Sequence, residues 1–177
     1  MTGRDRRATM SPMSPADPPE PTGPETLPLI SRHAATIELE RAERALADLR
    51  WLGQVMPSGD EGGTRSVRTD LELPILDGSS PGPIRKSAIL DIGTPRRAGE
   101  AVVVEIGWRS ATLAPLFPVF SGRLVVRPAG LELDGRYAPP FGRVGLLLDR
   151  SLLHLVAGRT AAALLARLST RLTSPEA

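Results

Sequence analysis

The chain has 177 residues with no cysteine and two histidines. That is enough for one domain with a buried core, and it excludes disulfides, thiolate chemistry and cysteine-based zinc sites. The net charge is only +2, reached with 21 arginines and a single lysine, Lys86, interleaved with acids along the whole length. No basic stripe for nucleic acid emerges, and two Trp, one Tyr and three Phe are too few for a base-stacking platform.

Residues 1–28 carry seven prolines and little apolar content, which predicts a disordered leader. Arg4, Arg6 and Arg7 begin it without a following apolar stretch, so no secretion signal is expected, and Met1, Met10 and Met13 are alternative starts. The domain is expected over residues 29–173, with 174–177 as a tail. His33 to Leu39 reads as a short first strand. Glu40 to Val55 reads as a helix on the spacing of Ala42, Ala45, Leu46, Leu49, Leu52 and Val55. The acids and arginines at positions 38 to 50 read as its solvated face.

Beyond the break at Pro57 to Gly63 come five strand-like runs: Thr64–Ile75, Ile84–Ile92, Ala101–Arg109, Val119–Arg127 and Leu131–Tyr137. Thr94 to Gly99 reads as a basic turn. Connections this short and rich in Gly and Pro predict an antiparallel meander, because parallel pairs need crossovers of about a dozen residues or more. After the Pro139 to Gly142 corner, a long helix is expected to run to Leu172. At 100° per residue, Val144, Leu148, Leu152, Leu155 and Ala162 share its apolar side, opposite Asp149, Thr160, Arg167 and Arg171. A membrane span is a poor account of this stretch, since Asp149, Arg150, His154 and Arg159 fall inside it. Each charge at a bilayer centre costs about 2.5–3.5 kcal/mol, against roughly 0.3–0.6 gained per leucine. The fold class is therefore α+β: an antiparallel sheet meander curled around a long C-terminal helix.

Three stretches carry a resemblance: VVVEIGWRSATLAPLFPVFSGRLVVRPAG, the return strand LELDGRYAPPFGRVG, and the helix LLLDRSLLHLVAGRTAAALLARL. Together they resemble the helix-grip superfamily of START-like, polyketide cyclase/dehydrase and lipid-transport proteins (SRPBCC type), over roughly Leu29 to Leu172. In this sequence the first strand and two-helix gate of that pattern are compressed into Leu29 to Gly63. The resemblance implies a cytoplasmic carrier of an apolar or amphipathic small molecule, held between sheet and C-terminal helix without a cofactor or metal. It says nothing of oligomeric state. The lining it implies is Leu71, Leu73, Leu90, Val104, Ile106, Trp108, Phe120, Leu133, Tyr137, Leu148, Leu152 and Leu155, a list that suits a mostly apolar pocket and equally a filled core.

Polar candidates are few. Arg159 could hold a ligand carboxylate or phosphate, or pair with an acid of the sheet. His154 and the lone tyrosine, Tyr137, could move a proton in a cyclase/dehydratase-type enzyme, although a structural histidine is the favoured reading. Asp149 and Arg150 are adjacent and so face different sides of the helix. Glu105 and Arg109 read as an outer cross-strand charge ladder. Ser31 to Ala35 sets a serine near a histidine without a nucleophile elbow, so no hydrolase triad is expected. A protein-interaction module with a solid core is the third functional class open to this sequence.

Overall fold

The computed structural model describes residues 26–57, 63–73, 84–112, 119–138 and 150–174. The strands are β1 (Leu27–Ala34), β2 (Gln54–Val55), β3 (Arg65–Leu73), β4 (Ile84–Ile92), β5 (Arg96–Ala98), β6 (Ala101–Ser110), β7 (Val119–Arg127) and β8 (Gly130–Ala138). Two helices, α1 (Leu39–Ala47) and α2 (Arg150–Thr173), complete the described part. All strand pairs are antiparallel, in the order β1-β8-β7-β6-β4-β3-β2, with β5 paired to β6. The α+β class and the antiparallel meander are thus as expected from the runs of alternating residues.

Alternation sends one set of side chains from each strand to a single face. Val67, Leu71, Ala88, Leu90, Ile92, Val102, Val104, Ile106, Leu124, Val126, Leu131 and Leu133 are all buried there. α2 packs on β1 and β8 at one end of the strand order and on β3 near the other, while α1 packs on β6 and β7 in the middle and also meets α2. Both helices therefore cover the apolar face of the sheet, α2 toward its ends and α1 at its middle. The opposite face is wet and carries cross-strand pairs: Arg109 with Asp91, Arg123 with Asp134 at 2.8 Å and Arg32 with Glu132 at 2.8 Å. Such exposed pairs contribute little, about 0–1 kcal/mol each.

Four sequence expectations need correction. The first strand is Leu27–Ala34, not His33 to Leu39, and so begins inside the stretch read as leader. Only Leu29 of this strand is buried, so its own pattern is weak, and pairing along the whole of β8 makes it a strand. It lies at the sheet edge, where Pro28 is tolerated. Residues 1–25 lie outside the described residues.

The first helix stops at Ala47 instead of running to Val55. Asp48 turns extended (φ −110°, ψ 102°), and the helix-end carbonyls are taken by side chains from outside. Arg65 donates to Leu46 O at 2.9 Å and to Ala47 O, and Trp51 Nε1 donates to Ala45 O at 2.7 Å. Leu49 and Leu52 are still buried, now from a loop, whereas Val55 is an exposed β2 residue. Arg96–Ala98 within the expected basic turn is a short strand, because it hairpins onto Ala101–Val103.

The fourth correction concerns α2. Its buried stripe is Ala157, Thr160, Ala161, Leu164, Leu165, Leu168 and Leu172. Leu155 is 42 % exposed and Ala162 is exposed, although both were expected to face the core. Thr160, expected outside, is inside and donates to Val156 O at 2.9 Å. The helix is apolar on most sides, so its sequence defines no sharp arc, and small residues against the sheet select the face. Val144 and Leu148 lie outside the described residues.

β7 and β8 approach closely at a glycine pair. Gly122 faces Gly135 across the strands, and a Cβ on Gly135 would stand 2.4 Å from Ser121 O and 2.7 Å from Phe120 Cζ. The Phe120 ring thus lies over bare backbone. Gly135→Ala is expected to lower unfolding free energy in a denaturant titration by about 1–3 kcal/mol. Gly158→Ala, whose Cβ would meet nothing within 4 Å inside α2, is expected to raise it by about 0.5–1 kcal/mol.

Candidate functional site

One row of side chains crosses the buried face from strand to strand. Val67 pairs with Leu90, Leu90 with Trp108, Trp108 with Phe120 and Phe120 with Tyr137. All five are buried, and the Trp108 and Phe120 rings stack at 4.1 Å with 16° between their planes. Such a stack adds about 0.5–1.5 kcal/mol beyond the area it buries. Val104, Ile106 and Leu133 extend the same buried surface. Seven of the expected lining residues (Leu90, Val104, Ile106, Trp108, Phe120, Leu133 and Tyr137) therefore form one wall.

Two polar atoms in that wall have no hydrogen-bond partner among the described residues, Trp108 Nε1 and Tyr137 Oη. Burial raises the Tyr137 phenol above its ordinary pKa, so the hydroxyl remains a neutral donor. The ring of His154, on the first turns of α2, stands 6.2 Å from that of Tyr137, while its own side chain is exposed. Leu155 and Arg159 do not join the wall: both are exposed, and Arg159 has no ion pair among the described residues. Leu148 and the side chains of Leu73 and Leu152 lie outside the described part.

The sheet and α2 also part to leave a cleft of about 630 Å³. β3, β4 and the loop after α1 line one side with Leu52, Thr69, Leu71 and Ser87; α2 lines the other with Ala163, Leu164 and Arg167. Arg68, Asp70 and Arg85 stand on the same walls. Leu71 is the one expected lining residue that faces it. Arg167 spans the cleft, donating to Leu52 O at 2.7 Å, Thr69 Oγ1 at 2.8 Å and Asp70 O at 3.3 Å. Thr69 Oγ1 in turn donates to Leu52 O at 2.7 Å. All three acceptors of Arg167 are neutral oxygens, and no ion pair reaches its guanidinium among the described residues.

The sequence reading set Arg167 on the wet side of the helix and gave Thr69, one of the alternating odd positions of its strand, no functional role. A signal for Thr69 is present: it is the polar residue in the inward series Val67, Thr69, Leu71, and it is buried. Arg167 follows Leu164 by three residues and so flanks the buried stripe, but that is legible only once the stripe is known.

Among the described residues no His, Cys, Asp or Glu cluster could hold a metal, and no helix is long and apolar enough to cross a membrane. Because Tyr137 is the only tyrosine, tyrosinate absorbance in the near ultraviolet reads it alone. Its raised folded pKa gives stability that is whole below about pH 10, the unfolded value, and is lost as pH rises through the folded one. Tyrosinate is thus expected only above pH 10 in the native protein, and near pH 10 once urea unfolds it. The chain matches no family model and no curated protein.

Proposed function

We propose that the chain is a helix-grip domain of the START-like, SRPBCC type and acts as a cytoplasmic carrier of an amphipathic small molecule. The ligand would lie in the cleft between β3–β4 and α2. The observation that carries this reading is the make-up of that cleft. Its volume of about 630 Å³ falls in the range of small-molecule sites, roughly 300–1,000 Å³. Leu52, Leu71, Ala163 and Leu164 offer apolar lining, and Arg167 supplies a fixed cation with no ion pair among the described residues. An apolar body with an acidic head suits both.

A specific observation also favours an enzyme of cyclase/dehydratase type on the same scaffold. Tyr137 keeps a buried, unpartnered hydroxyl with the imidazole of His154 alongside, which supplies two proton-handling groups in one neighbourhood. In that case Tyr137→Phe would abolish turnover while ligand retention survives. Carrier function leaves retention and release unchanged by the same substitution.

Native mass spectrometry of the detergent-free protein, before and after organic extraction, tests the carrier reading. We expect an extra mass that extraction removes and that Ala163→Trp, which fills the cleft, no longer retains. Arg167→Met is expected to weaken an acidic ligand by roughly ten- to hundredfold, about 1.5–3 kcal/mol, and to leave a neutral analogue unaffected. A clean apo mass, with no uptake of an apolar fluorescent acid, would refute the reading.

A further inference from the structure

We infer that α1 and the last turn of α2 together form a second binding site, for a phosphate group, built by Arg41, Arg44 and Arg171. Arg41 and Arg44 lie three residues apart on α1 and so share a side of that helix. Arg171 reaches the same cleft from the last turn of α2. The cleft encloses about 230 Å³, and Ala45, Asp48 and Trp51 complete its walls. At roughly 30 Å³ per water, that is room for about eight waters, or for a phosphate with a small substituent.

Charge in this cleft is unbalanced. Three guanidinium groups face one carboxylate, and Asp48 is already engaged, accepting the Arg50 amide at 3.2 Å with the Arg50 guanidinium at 4.0 Å. No ion pair reaches Arg41, Arg44 or Arg171 among the described residues. Arg41 Nη2 is buried and has no hydrogen-bond partner among the described residues, an arrangement that costs free energy until an acceptor is supplied. An anion entering the cleft would meet the three guanidinium groups that line it.

The donors converge from two helices, which favours phosphate over carboxylate. A phosphate offers oxygens in three or more directions, one for each arginine fork, whereas a carboxylate offers two in one plane. The same chemistry is found on a free phosphorylated metabolite and on a lipid headgroup.

Trp51 makes the site measurable, because it is half-buried on the cleft wall while Trp108 is sealed in the core. The full chain would be titrated with inorganic phosphate at constant ionic strength, against a chloride series, following tryptophan emission and Tm. We expect a saturable emission change and a rise in Tm for phosphate alone. Trp51→Phe is expected to remove the emission change and keep the Tm rise. Arg44 and Arg171 are exposed, so Arg44→Gln and Arg171→Gln should leave the phosphate-free melt unchanged and weaken binding about tenfold or more each. Equal responses to phosphate and chloride, or undiminished binding in the double variant, would overturn the site. A second arm adds phosphatidylcholine vesicles with and without phosphatidic acid. Cosedimentation that needs phosphatidic acid and is displaced by free phosphate assigns a headgroup; saturable phosphate binding without cosedimentation assigns a soluble ligand.

Discussion

Everything in this protein depends on how α2 lies against the two ends of the sheet. Leu164, Leu165, Leu168 and Leu172 are buried there, with Ala157 and Ala161 allowing the backbones to come close. Burying one leucine stabilises by about 1.5–3 kcal/mol, so these four together match the whole net stability of a typical domain, about 5–15 kcal/mol. Without the helix, the sheet would expose much of its apolar face to water. α2 meets β1, β8 and β3 while α1 occupies the middle, and the opening lies where α2 passes β3 and β4. The opening and the stability have one origin.

Arginine serves three purposes in this chain, which contains a single lysine. On the outer face it forms exposed pairs, such as Arg123 with Asp134, that contribute little. At element ends it replaces backbone donors. Arg65 holds the carbonyls that terminate α1, and Arg167 ties the loop after α1 to β3 and α2. A planar fork with several fixed donors can span carbonyls from different elements, which an ammonium on a flexible stem does poorly. The third use is the positive charge of Arg167 in its cleft and of Arg41, Arg44 and Arg171 beside α1, which no ion pair reaches among the described residues. Both clefts border α2, so a ligand in either would be linked to how that helix packs.

How much could be read from the sequence depended on whether a pattern was local. β4 and β7 begin and end where alternation and flanking glycines and prolines place them, at Ile84–Ile92 and Val119–Arg127. The buried wall of Leu90, Ile106, Trp108, Phe120 and Leu133 followed from the same period of two. β1 was misplaced because its apolar signal is essentially Leu29, and its identity comes from β8, about a hundred residues away. α1 was overextended because Leu49 and Leu52 keep helical spacing while serving as loop anchors, and its end is set by Arg65 from β3. The face of α2 was misjudged by including Leu155 and Ala162, since a helix apolar on most sides gives no preferred direction. Arg167 and the grouping of Arg41 and Arg44 with Arg171 were invisible for one reason: each depends on which residues tertiary packing brings together.

The most direct test of the central claim, that α2 and β3 enclose a ligand, is hydrogen–deuterium exchange on the protein as purified and after its ligand is stripped. The account predicts faster exchange on stripping in peptides covering Thr69–Leu71 and Ala163–Arg167, with β6 to β8 unchanged. Identical exchange in both forms, or a loss of protection spread evenly across the sheet, would contradict it.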